Sequence, residues 1–163
     1  SSRADSRANK VGAMATSTPP SPRIAPGERK DIGLLLWAAI KIGARVVGGP
    51  VPNVMLTLAR HRGAFLPWVL YSSRLMPSGK LPAAHTELVI LRVAARCGSE
   101  YERVHHTALG RKAGLSDELM AWTAEPVGTD VAAPDGGKVD AERAALLVHV
   151  TDELLDDKNL GDA

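Results

Sequence analysis

The chain is expected to be all-α, and three features of its sequence point that way. Long stretches, residues 82–97 and 139–156 above all, are built of helix formers with apolar residues at helical spacing. Glycine, serine and proline fall where such stretches would stop and start. No segment alternates convincingly as a strand, and no internal repeat can be defended. With 163 residues and 45% apolar content the chain can bury one core, so one domain is the sensible count.

Taken in order, residues 1–27 are rich in Ser, Pro, Ala and Arg and read as a disordered tail with no apolar run for a signal peptide. Met14 is a candidate natural start, with residues 1–13 a vector remnant or an upstream extension. A transit peptide is the other reading, against which the prolines argue. Residues 28–47 read as one strongly apolar helix interrupted by Lys41 and Arg45. It is too short and too charged for a membrane span, which needs about 20 mostly apolar residues, and suits packing on a partner subunit. Gly48, Gly49 and Pro50 then form a hinge.

Residues 53–62 and 64–75 read as two helices joined at Gly63, with Pro67 in the first turn of the second and a loop at 76–80. Trp68 and Tyr71 line a pocket or simply fill the core. Pro82 suits the first turn of the next helix and Gly98 stops it. Ser99-Glu100-Tyr101-Glu102 has the form of a capping box, so a further helix starts at Ser99 and ends before Gly114. Ser116 caps a short helix through Ala124, residues 126–137 form a loop, and 139–156 is a last amphipathic helix carrying His149, read as structural.

The chemistry is concentrated between Glu87 and His106. At about 100° per residue, His85, Arg92 and Arg96 fall within roughly 20° of one line, while Glu87 points about 160° away, toward Ile90, Leu91 and Ala94. A carboxylate on an apolar face needs a hydrogen-bond donor. On the following helix, Glu102 and His106 share one face and Tyr101 and His105 the adjacent one. Two antiparallel helices joined at Gly98 would bring Glu87 near His105 or His106, and a carboxylate with an imidazole in one apolar pocket forms an acid/base pair. The plainer alternatives are a buried Glu held by a backbone amide or a neighbouring Arg, one core and one surface histidine, and a Glu102 that only caps.

Pro52-Asn53, the run from Glu87 through Ala94, Gly98-Ser-Glu-Tyr-Glu102 and His106 together resemble the carboxymuconolactone decarboxylase family, which includes the alkylhydroperoxidase D proteins. The resemblance covers roughly residues 51–157. It implies an alkylhydroperoxidase D-like helical bundle assembling into homo-oligomers, commonly trimers or hexamers, with a site between helices and often near a subunit interface. The peroxidase branch carries a C-x-x-C pair, and those two positions fall here on Ser99 and Glu102, with Tyr101 at the inner histidine, Glu87 at the upstream acid and His106 at the later histidine. Disulfide cycling needs an attacking and a resolving thiol, and this chain has one cysteine. Cys97 lies at a helix C-terminus, the wrong end for a thiolate, and reads as a small packing residue.

What the resemblance then implies is decarboxylase-like chemistry on a small carboxylated lactone or related intermediate of aromatic-compound degradation, with alkylhydroperoxidase-like peroxidase activity through Cys97, or a non-catalytic helical assembly, as the alternatives. His106 is the candidate acid and Glu87 its orienting base, with His105, Tyr101 and Glu102 of second rank. Arg92, Arg96 and Trp68 are the candidate substrate-binding groups. The arginines lie opposite Glu87 on the wheel, so they would serve another subunit's site or be solvated or interface-paired. No cofactor is called for and no zinc-type spacing occurs. A net charge of +2 in mixed distribution carries no nucleic-acid signature. The single cysteine fits a reducing compartment, so the cytoplasm is the default. Relatives usually continue with one or two further helices beyond residue 163, so residues 28–163 are expected to form the family domain without its last helices, leaving an apolar face for another subunit or the N-terminal helix to cover.

Overall fold

The computed structural model describes residues 23–47, 51–76 and 79–157, and among them the structure is helical, with no strand. The expected 48–50 hinge, most of the N-terminal tail, the middle of the 76–80 loop and the last residues of the chain lie outside the described residues. The helices are α1 (Arg29–Ile32), α2 (Leu34–Val47), α3 (Asn53–Ala59), α4 (Arg62–Leu75), α5 (Ala83–Arg96), α6 (Glu100–Ala113), α7 (Asp117–Trp122) and α8 (Ala141–Asp156). They gather into two compact units that divide between Phe65 and Leu66. No helix among the described residues is long and apolar enough to cross a membrane.

In the first unit, the helix expected over 28–47 is broken at Gly33, whose φ of 91° belongs to the region that disfavours a Cβ. A side chain there would also meet the Arg62 guanidinium, 2.6 Å from an ideal Cβ. Glu28 and Asp31 close a capping box on α1, and Arg60 bridges to Asp31 at 3.2 Å. Leu34, Leu35 and Ile42 of α2 are exposed. The α3–α4 joint falls at His61 rather than Gly63. The His61 imidazole Nδ1 accepts from the Ala64 amide at 3.1 Å and so caps α4 two residues earlier than expected. Pro67 consequently sits inside α4 and not in its first turn.

The second unit is organised around α5, which packs on α6 and on α8. Ala84, Leu88 and Leu91 of α5 join Leu115, Leu119 and Met120, Val139 and Ala144 in one core cluster. The turn from α5 to α6 needs Gly98, at φ 63°, and the Ser99 amide donates back to the Ala94 carbonyl at 2.8 Å. Gly114, at φ 96°, ends α6 as a left-handed cap. Close packing of α6 uses Gly110, where a Cβ would stand 2.8 Å from the Met120 sulfur. Ser116 and Asp140 cap α7 and α8 by accepting from Leu119 and Arg143 amides. The loop between those helices is pinned by an isolated bridge between Leu115 and Gly137 and by the Trp122 indole donating to the Val131 carbonyl at 2.9 Å.

Candidate active site

The α5–α6 hairpin sets Glu87 and His106 face to face. The His106 Nδ1 lies 2.7 Å from Glu87 Oε2, and both side chains are nearly buried, at 12% and 13% exposure. Nε2 of the same ring lies 3.2 Å from Glu102 Oε2, one helical turn back, on a side chain that is 43% exposed. Both ring nitrogens therefore face carboxylates. Ionised carboxylates only accept, so the arrangement is satisfied by an imidazolium donating from both nitrogens. The hydrogen bond to Glu87 raises His106 above the usual imidazole range; burial works against this, and the charges of Glu87 and Glu102 add to it.

Glu102 reaches the imidazole because it is released from the capping role expected of it. Ser99 does accept from the Glu102 amide, at a long 3.5 Å, but the Ser99 amide is already taken by the Ala94 carbonyl. The reciprocal half of the capping box is thus replaced by the turn's own backbone bond, and the Glu102 carboxylate turns to His106.

The remaining candidates are placed as follows. His105 points away from the pair, its Nδ1 donating to the Tyr101 carbonyl at 2.9 Å and its ring lying 4.4 Å from the Tyr101 ring. Trp68 lies on α4, 36% exposed. His149 is exposed and stands 3.4 Å from Glu153. Cys97 is exposed at the end of α5, so it is not the packing residue expected; the chain is already turning away from the core there.

Arg92 corrects the reading of a solvated or interface-pairing stripe. It is 2% exposed and grips Asp152 of α8 bidentately, through Nε at 2.7 Å and Nη2 at 2.6 Å. Its Nη1 donates to the Thr123 and Glu125 carbonyls at 2.9 and 2.6 Å. Arg96 joins from the next turn, bonding Asp152 at 2.7 Å and also Asp156. Burial would raise the Asp152 carboxyl, but hydrogen bonds from Arg92 and Arg96 prevail and hold it below its usual range. These arginines fasten α5 to α8. The sequence does hold the signal: arginines at i and i+4 on α5 match aspartates at i and i+4 on α8.

A shallow cleft lies beside this network, lined by Arg92, Trp122, Val127, Val148, His149 and Asp152 among others. It does not contain Glu87 or His106. Its strongest polar groups, Arg92 and Asp152, are already bonded to one another. Among the described residues no group of three or more His, Cys, Asp or Glu side chains is arranged to hold a metal ion.

A helical hairpin that sets a largely buried carboxylate against an imidazole, with a second carboxylate at the other ring nitrogen, is an arrangement that can hold and move a proton. The chain matches the model of the carboxymuconolactone decarboxylase family over residues 64–148, more than half its length, and belongs to that family. The match contains Glu87, Glu102 and His106 together with the clamp arginines. No curated protein and no solved structure matches the chain.

Proposed function

We propose that this protein is an acid/base enzyme, carrying out decarboxylation or isomerisation of a small carboxylated lactone or of a related intermediate of aromatic-compound degradation. In this reading it works in the cytoplasm as a homo-oligomer, a trimer or hexamer. The observation that carries the proposal is the 2.7 Å contact between His106 Nδ1 and Glu87, two side chains only 12% and 13% exposed. Glu87 holds the ring in orientation and stabilises its charge. His106 then supplies the positive, proton-donating group that a developing enolate or dienolate requires. The exposed side of the ring, where Glu102 stands, is the side from which a small molecule approaches.

The test is carbon dioxide release and double-bond migration from carboxymuconolactone, followed in the wild type and in His106→Gln and Glu87→Gln, with helicity checked for each. Loss of about 10²- to 10⁴-fold in both variants is the expected result. A folded variant of either kind that keeps the wild-type rate sinks the proposal. If Glu87→Gln alters stability while no protein in the series turns anything over, a non-catalytic assembly role is left. The competing peroxidase reading would route through exposed Cys97, at the negative end of α5 with no second thiol in the chain. Cys97→Ser is therefore expected to leave lactone turnover unchanged.

A further inference from the structure

We infer that the first unit is a docking module for a membrane surface carrying anionic lipid headgroups, with α2 lying in the interface. The module falls almost wholly outside the family domain: the first unit ends at Phe65, and the family match begins at residue 64. Its charge is opposite to that of the rest of the chain. Residues 1–65 hold ten Lys and Arg against three Asp and Glu, a net of +7, whereas residues 66–163 hold ten against fifteen, a net of −5.

The outward face of α2 is apolar. Leu35 is 87% exposed and Ile42 59%. At about 100° per residue these two and exposed Ala39 fall within roughly 60° of one another, with exposed Gly43 at the border of the ridge they form. Ile40, 7% exposed, points roughly 130° away from that ridge on the same wheel, and α2 packs on α1 and α3. The helix therefore turns one apolar side inward and a second one outward. Lys41, Arg45 and exposed Leu34 line one edge of the outward ridge, and the Lys41 ammonium lies 5.1 Å from the Trp37 ring centroid. No acidic residue occurs on the helix.

That combination fits lipid better than other anionic partners. The aliphatic side chains leave water for the acyl boundary, while the cations at the edge of the ridge stay among the headgroup phosphates. The phosphates of a nucleic acid would meet the cations and leave the ridge in water. The α2 of another copy would bring the same cations with no acid to offset them. At 14 residues, and carrying Lys41 and Arg45, the helix lies on a bilayer and does not cross it. The acidic second unit of another copy is the competing occupant, and experiment separates it from lipid.

The full chain is sedimented with vesicles of phosphatidylcholine alone and with vesicles containing about 30% phosphatidylserine. Binding to the anionic vesicles is expected to be at least about tenfold tighter than to the neutral ones, and to fall by a similar factor in about 0.5 M salt. The variant Leu35→Gln/Ile42→Gln, with its helicity and assembly mass checked, should lose at least about tenfold, and Lys41→Gln/Arg45→Gln about three- to tenfold. Leu146→Gln, the same change at an exposed leucine of α8, should lose nothing. The inference is overturned if the wild type ignores anionic vesicles, if Leu35→Gln/Ile42→Gln binds them as the wild type does, or if Leu146→Gln weakens binding equally. A Leu35→Gln/Ile42→Gln variant that drops to a smaller assembly, beside a wild type that binds no vesicle, gives the ridge to a second copy and also overturns it. Lactone turnover plays no part in these readouts, so the acid/base reading and this one stand or fall separately.

Discussion

Replacing Arg92 by methionine should cost the second unit a large share of its stability. The side chain is 3% exposed and makes four hydrogen bonds, two to Asp152 and one each to the Thr123 and Glu125 carbonyls. Breaking one partner of a buried ion pair typically costs about 3–5 kcal/mol, because the other is left buried and uncompensated. Arg96 still bonds Asp152 in the variant, which argues for the low end, about 3 kcal/mol. For a unit of this size that amounts to a fall in Tm of roughly 10–20 °C. The informative measurement is a cycle of urea and thermal unfolding, followed by helical circular dichroism, on Arg92→Met, Asp152→Leu and the double variant. The double variant should be less destabilised than the sum of the singles by about 1–3 kcal/mol, since it removes the stranded charge. A single-variant loss under about 1 kcal/mol, or strict additivity, would refute the claim that this pair fastens α5 to α8.

His106 should make stability depend on pH with a definite sign. Its folded value is raised, so its contribution is complete below the ordinary imidazole value of about 6.5 and is lost as pH rises through the raised one. Histidine-ring NMR titration should place His106 above that ordinary value, and Glu87→Gln should bring it down further than Glu102→Gln does; the reverse order would contradict the geometry. Gly136→Ala should destabilise by about 1–3 kcal/mol through overpacking, because an added Cβ would lie 1.9 Å from Leu119 Cδ2 and 3.0 Å from its Cβ. A urea midpoint within error of wild type would show that the loop gives way. Ser99→Ala should cost only about 0.5 kcal/mol, the low end for an N-cap, since the Ser99 hydroxyl sits 3.5 Å from the amide it serves; a loss near 2 kcal/mol in the same assay would mean that the cap is tighter in solution.

The helices of the second unit were legible because their ends are written in local chemistry. Gly98, Ser99, Gly114 and Ser116 stop and start helices through backbone conformation and side-chain acceptors that need no tertiary context. The errors in the first unit have the same local scale. Gly33 reads as a tolerated glycine inside an apolar helix until its positive φ is seen, and His61 is an uncommon cap that sequence reasoning passes over in favour of the neighbouring glycine. The meeting of Glu87 with a histidine was legible from the hairpin, and the preference for His106 over His105 came with the family resemblance. In the structure the selection goes with the roll of α6 against α5, a tertiary quantity, at a contact where Gly110 leaves room for Met120, Leu115 and Leu91.

The same helical wheel succeeded on one face of α5 and failed on the other, and the reason is physical. A wheel assumes that a helix has one dry face and one wet one. It placed Glu87 on the packed side, where the side chain is indeed 13% exposed, and by the same logic assigned Arg92 to the wet side. But α5 lies between α6 and α8 and has no wet side at that level, so Arg92 is more deeply buried than Glu87. A polar stripe on a central helix must find partners across the interface, and here it finds Asp152 and Asp156. The arginines that composition offers as carboxylate binders therefore hold the scaffold together, while the charged side chain at the second ring nitrogen of His106 is Glu102.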